Sequence, residues 1–211
     1  MSAGSDYNLP CKAQYYWLIV LIVVTGCPVF AQQKLSQYEL DYYRRQGRDN
    51  IEKFENYTAS IAQERKNEIF IELAEDLFVP TATVQVGNGK TNTSYPVHRY
   101  LSEIVPGYKR KYQVVVLKFG ETKISKLVEK RSPSGEIYYE GEFSFTQYFC
   151  VKRTGTAGNI SEQGIEIADC NYADETVKSG KVIVRKIARL GKENWILKLS
   201  DIHVDSVTRL K

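Results

Sequence analysis

Glu136-Ile-Tyr-Tyr-Glu140-Gly-Glu-Phe-Ser-Phe145-Thr-Gln-Tyr-Phe-Cys150-Val151 reads as one long strand, and its alternation decides the class of fold. Ile137, Tyr139, Phe143, Phe145 and Phe149 are apolar at odd positions, while Glu140, Glu142, Ser144 and Thr146 alternate with them. Successive side chains on a strand point to opposite faces, so the odd set turns to a core, and Gln147 goes with it. A sheet with one wet face is usually antiparallel and needs something packed over its dry face.

The neighbouring sequence supplies both the partners and the cover. Tyr112 to Phe119, Lys123 to Lys130, Ser179 to Leu190 and Asn194 to Val207 read as further strands, with Ser132-Pro133-Ser134-Gly135 and Gly191-Lys192-Glu193 as hairpin loops. In the last strand Trp195, Leu197 and Leu199 define the inner face, and Asp201 continues their parity. Lys152 to Val177 reads as a long connection with a short strand at Gly164 to Ala168. Helices come first in the chain. Gln33 to Gln46 predicts one that ends near Gly47, and Asp49 an N-cap for a second carrying the stripe Ile51, Phe54, Tyr57-Thr58 and Ile61. Asn67 to Leu77 puts Ile69-Phe70, Leu73 and Leu77 on a common face before Pro80. Thr83 to Val86 alternates as a strand into the turn Gly87-Asn88-Gly89, and a helix begins at Pro96 and closes at Pro106-Gly107.

This order resembles the nuclear transport factor 2-like fold, an α+β cone in which N-terminal helices pack on a curved, mostly antiparallel sheet. The resemblance is carried by Phe54-Glu-Asn-Tyr57, by Leu77-Phe78-Val-Pro80-Thr-Ala82-Thr-Val84, by Pro96-Val-His-Arg-Tyr-Leu101 and by Asn194-Trp195-Ile-Leu-Lys-Leu199. It covers roughly Ile51 to Val207, a single domain's length. It implies SnoaL-like or ketosteroid isomerase-like architecture, on which isomerases, dehydratases, cyclases and non-catalytic binding domains all occur, and it transfers no one activity. The functional tyrosine and aspartate of the ketosteroid isomerases match no motif here.

Lys12 to Ala31 sets the expected compartment. A basic residue, the run Trp17 to Val24 and the small-residue ending Val29-Phe30-Ala31 form an export signal, with Gln32 as the expected mature start. The alternatives are a lipidated Cys27 or an uncleaved anchor, for which Gly26 and Pro28 make a marginal span. The expected organisation is therefore a signal peptide over residues 1–31, a helical arm over 32–48 and one domain over 49–211. With 43% hydrophobic and 26% charged residues the chain is that of a folded domain. In a periplasmic or secreted setting Cys150 and Cys170, the even pair left after the signal, are expected to be bridged.

Site candidates follow from the inner face. Tyr139, Phe143, Phe145, Gln147, Phe149 and Trp195 could line a cavity for an apolar ligand, or be core. Asp201 among aromatics would be a carboxylate with a raised pKa and so a general base, and His98 the other acid–base candidate. With only His98 and His203 in the chain and no cysteine cluster, no metal site and no cofactor are expected. The net charge of +4 is mild, and Lys109-Arg110-Lys111 is the single basic cluster, so nucleic acid is not an expected partner. The readings left open are a non-catalytic exported domain that binds a protein or envelope component, a carrier or sensor of a small apolar molecule, and a lyase or isomerase. A homodimer through a sheet face bearing Tyr138, Tyr148 and Val184 is a further expectation. Sequons stand at Asn56, Asn92 and Asn159.

Overall fold

The first helix is one element where two are expected. In the computed structural model α1 runs without interruption over Gln37–Gln63. Ser36 starts it with a capping box: its hydroxyl accepts the Glu39 N–H at 3.3 Å, and the Glu39 carboxylate accepts the Ser36 N–H at 2.8 Å. Gly47 does not end the helix because it lies on the buried face, where a Cβ would come within 3.2 Å of Ile124 and 3.4 Å of Val182. Asp49, the expected N-cap, is an exposed residue within the helix. The predicted stripe is the packed one: Ile51, Phe54, Thr58 and Ile61 are buried. The structure describes residues 34–63, 68–87, 91–112, 114–152, 170–189 and 192–211, all in the unit Lys34–Lys211. The export segment with Cys27, Ala31 and Gln32, the Asn88-Gly89 turn, the Asn159 sequon and the strand expected at Gly164 to Ala168 lie outside them.

Two more helical expectations are corrected. α2 (Glu68–Glu75) buries Ile71 and Ala74 and leaves Ile69 and Leu73 exposed, so the buried stripe is rotated from the predicted one. The sequence carries two apolar rows here, and Phe70 stacking on Tyr57 at 5.8 Å selects one of them. After α3 (Val97–Arg99) the chain widens into a π-helical turn, Tyr100–Ile104, and continues as α4 (Val105–Lys111). The Val105 N–H donates to the Tyr100 carbonyl five residues back, and Pro106, with no N–H to give, follows without ending the helix.

Among the described residues eight strands form one sheet: β1 (Thr83–Gly87), β2 (Asn92–Pro96), β3 (Val114–Phe119), β4 (Lys123–Ile124), β5 (Val128–Arg131), β6 (Ile137–Lys152), β7 (Tyr172–Arg189) and β8 (Lys192–Arg209). Their order is β2-β1-β8-β7-β6-β3, with β4 and β5 also on β6. Every pair is antiparallel except β1 with β8. The single strand expected over Lys123 to Lys130 is two pieces, because Leu127 turns into the core between them. β2 was not legible, being a polar edge strand with no apolar alternation. β7 starts at Tyr172, well inside the expected connection.

The inner face of β6 is as predicted. Ile137, Tyr139, Phe143, Phe145 and Gln147 are buried, and Phe149 is half-buried. On β8 the parity prediction holds for Leu197 and Leu199 and then fails. The β7–β8 register shifts between Gly180 and Val182, so Leu199 pairs with Val182 but Ile202 pairs with Gly180. An inserted residue flips the face, and Ile202 instead of Asp201 enters the core. Gly180 is required at that point, since a Cβ there would lie 2.5 Å from the Phe143 ring and 2.4 Å from the Asp201 carbonyl oxygen. The outer face of the β6–β7 end holds a second small core of Val116, Cys150, Cys170 and Ala173, in which Cys150 and Cys170 form a disulfide with Cα atoms 5.7 Å apart. No helix among the described residues is long and apolar enough to cross a membrane.

Candidate functional site

The interior is filled toward the start of β6 and hollow toward its end. At the filled end Phe143 and Phe145 stack at 6.1 Å, Phe119 meets Phe145 at 6.0 Å, and Tyr139 packs on Trp195 at 5.5 Å. The chain before α1 completes the seal: Leu35 is buried and its N–H donates to the Tyr139 hydroxyl at 2.9 Å. The Tyr43 hydroxyl donates to the Trp195 carbonyl at 3.2 Å, and burial raises the Tyr43 pKa. Four of the six expected ligand contacts, Tyr139, Phe143, Phe145 and Trp195, are thus side chains packed on one another.

The other two, Gln147 and Phe149, line a cavity of about 370 Å³. Its walls include Tyr108 and Tyr112 from the α4 side, Tyr172, Asp174, Thr176 and Lys178 from β7, and Val204 from β8. Residues 172, 174, 176 and 178 share one parity and so one face of β7. In the register Asp174 stands opposite Phe149, Thr176 opposite Gln147 and Lys178 opposite Phe145. The π turn brings the helical side into line: in an unbroken α-helix Tyr108 would be about 80° from Tyr100, and one extra residue in a turn reduces this to about 20°. Tyr108 meets Phe149 edge-on at 5.2 Å, and Tyr172 meets it at 6.1 Å.

The cavity's polar groups are unusual for a core. Lys178 is only 5% exposed, and its ammonium lies over the Tyr100 ring at 5.6 Å. Burial pushes its pKa down to about 8, with the Asp174 carboxylate opposing that shift. Burial also raises the Asp174 carboxyl, against hydrogen bonds from Tyr172 and Thr176 and the charge of Lys178; the Thr176 hydroxyl donates at 3.3 Å. Tyr108 is pushed up to about 12 by burial, and Tyr172 to about 12 by burial and its bond to Asp174. Tyr100, wholly enclosed, is raised further. These shifts put a lysine near neutrality beside a carboxyl that ionises less readily than usual and phenols that hold their protons.

The two expected acid–base residues lie elsewhere. Asp201, turned out by the β8 bulge, accepts the Thr83 N–H at 2.7 Å and the Thr83 hydroxyl at 2.9 Å, and so holds the start of β1. His98 is exposed and pairs with Glu75 at 2.5 Å on the surface. Val184 is buried on the inner face opposite Tyr139, so it is not part of an outer face with Tyr138 and Tyr148. A separate buried acid is Glu55 on α1, raised to about 7 by burial, with the Thr122 hydroxyl donating at 3.3 Å; it borders a surface cleft of about 460 Å³. No group of three metal-ligating side chains occurs among the described residues. Sequence reasoning missed Asp174, which lies in the stretch read as a connection, and Lys178, which falls between that stretch and the strand expected from Ser179; the signal that could have found them is the alternation Tyr172, Asp174, Thr176, Lys178 against Ala173, Glu175, Val177, Ser179.

The chain has the α+β architecture expected of the nuclear transport factor 2-like cone: helices first, then a large, mostly antiparallel open sheet with one parallel pairing. No family model and no curated protein matches it. Solved structures do resemble it. A candidate aromatic ring hydroxylase of Novosphingobium aromaticivorans is 11% identical with a TM-score of 0.45, over 83% of this chain and 96% of that one. A candidate scytalone dehydratase of the same species is 8% identical with a TM-score of 0.43, over 83% and 93%. A hexachlorocyclohexane dehydrochlorinase of Novosphingobium barchaimii is 11% identical with a TM-score of 0.38, over 81% and 94%. Identities and scores this low carry no activity across.

Proposed function

We propose that this chain is a small-molecule-binding domain whose ligand enters the hollow end of the cone, and that it works outside a reducing cytoplasm. The cavity carries the first part. A core that closes on itself at one end with stacked aromatics leaves about 370 Å³ at the other, within the range that small ligands occupy. Its walls are aromatic, which favours a flat or compact apolar ligand. Its polar groups, Gln147, Lys178 and Asp174, favour a ligand with one oxygen to be bound. The disulfide supports the second part, since such bridges persist in oxidising compartments, and the export-type N-terminal sequence agrees with it. A protein or envelope partner remains the competing reading for an exported domain, and it needs no hollow cone.

The test is calorimetric titration of the purified protein with 2-naphthylmethanol, a compact aromatic alcohol. One-site binding is expected, weakened at least tenfold by Thr176→Phe, which fills the cavity from the middle of its β7 wall, with the variant's fold checked by circular dichroism. Absence of binding, or equal binding by folded Thr176→Phe, would remove this reading.

A further inference from the structure

We propose that Lys178 is a covalent anchor, its side-chain amine forming an imine with an aldehyde or ketone ligand seated in the cavity; the proposal rests on the ligand-binding reading above. Three placements lead to it. Lys178 is among the few charged residues buried in the structure, and among the described residues no carboxylate or hydrogen-bond acceptor pairs with its Nζ, which rests on the face of Tyr100. Burying an ammonium is costly, and the charge that opposes that cost here is the Asp174 carboxylate, itself in the cavity wall. The residue also lines the cavity. β8 changes register on either side of it, between Val177 and Lys178 and between Gly180 and Val182, and such bulges re-aim the side chains beside them.

The chemistry balances within the site and the ligand. The lone pair of neutral Nζ attacks the carbonyl carbon while the carbonyl π pair moves to oxygen. A proton passes from nitrogen to that oxygen, a second proton delivered by a buffer acid or water through Asp174 lets the oxygen leave as water, and the resulting iminium gives its remaining N–H proton back along the same route, leaving a neutral carbon–nitrogen double bond. One amine and one carbonyl give one imine and one water, with no oxidant or reductant. Asp174, on the same strand face, is the group placed to pass the proton, and its burial makes it a weaker acid and so a stronger proton acceptor than an exposed carboxylate. Burial that lowers the lysine pKa supplies the neutral amine that attack needs. The other titratable groups facing this region are Tyr100, Tyr108, Tyr112 and Tyr172.

The experiment treats the full protein with 2-naphthaldehyde and sodium cyanoborohydride, which traps an imine as a stable amine, followed by intact mass and peptide mapping. A single adduct on Lys178 is expected, forming at least tenfold faster than on any other lysine at pH 8, suppressed by excess 2-naphthylmethanol and absent in folded Lys178→Met and Lys178→Arg. Adducts spread evenly over the lysines would overturn the proposal. So would an unlabelled Lys178 in protein that binds 2-naphthylmethanol, and in that case the binding reading survives alone. Tight binding of 2-naphthoate with no aldehyde adduct would make Lys178 an ion-pairing residue and also overturn it. Failure of every naphthyl probe to bind would remove both readings.

Discussion

Phe145 and Phe149 stand on the same face of the same strand, four residues apart, and have different roles. Phe145 is 2% exposed between Phe143 and Phe119. Phe149 is half-buried, touched at its edges by Tyr108 and Tyr172, and faces open volume. Nothing in their local sequence separates them. What differs is the far side: Phe145 meets other rings, whereas the space before Phe149 is bordered by long polar side chains from β7. A continuous aromatic stripe is therefore core over one half and cavity wall over the other.

Urea unfolding of single variants measures the difference between the two halves of the stripe. Phe145→Ala is expected to cost about 4 kcal/mol in urea unfolding, because it opens a void in a close-packed cluster. Phe149→Ala should cost about 1 kcal/mol, since its ring already lacks neighbours on one side. Equal costs would mean that the two ends are packed alike. The disulfide behind the cavity comes next: Cys150 and Cys170 are 20 residues apart, and replacing both by Ser should cost about 3 kcal/mol in the chain-entropy model. It should also weaken 2-naphthylmethanol binding, because the bridge fastens β6 to the entry of β7, where Phe149 and Asp174 pair.

A further effect has the opposite sign. Lys178→Met should stabilise the protein by about 2 kcal/mol at neutral pH, by removing a buried amine without an ion pair. The linkage has a definite direction. The Lys178 pKa is lowered from 10.5 to about 8 on folding, so between those values the unfolded chain binds more protons than the folded one. The wild type should therefore gain stability as pH rises from about 8 to 10.5, and Lys178→Met should lose that rise. A variant less stable than the wild type at pH 7 would mean that Lys178 contributes more through packing than its charge costs.

Periodicity failed where a strand's inward residues are not apolar or where a residue is inserted. β6 and the stripe on α1 were legible because their buried residues are the apolar ones. The first half of β7 was not, because the side chains it turns inward are Tyr172, Asp174, Thr176 and Lys178, and a parity rule built on hydrophobicity finds no strand before Ser179. Asp201 was assigned to the inner face by a parity that one inserted residue reverses. Gly47 reads as a helix stop in isolation and is a contact surface in the fold, because what meets it comes from Ile124 and Val182, far away in the chain. Of the expected contacts Gln147 and Phe149 border the cavity, and its charged lining, Asp174 and Lys178, was not legible.

The α+β class, the long helix stripe, the alternation of β6 and the pair of cysteines available to bridge are all readable from residue type and local spacing. Which stretch of the aromatic stripe is covered, that Asp201 faces Thr83, and that Lys178 enters the core emerge first in the folded chain. Those outcomes depend on strand register and on the element laid over a face, which join residues widely separated in sequence.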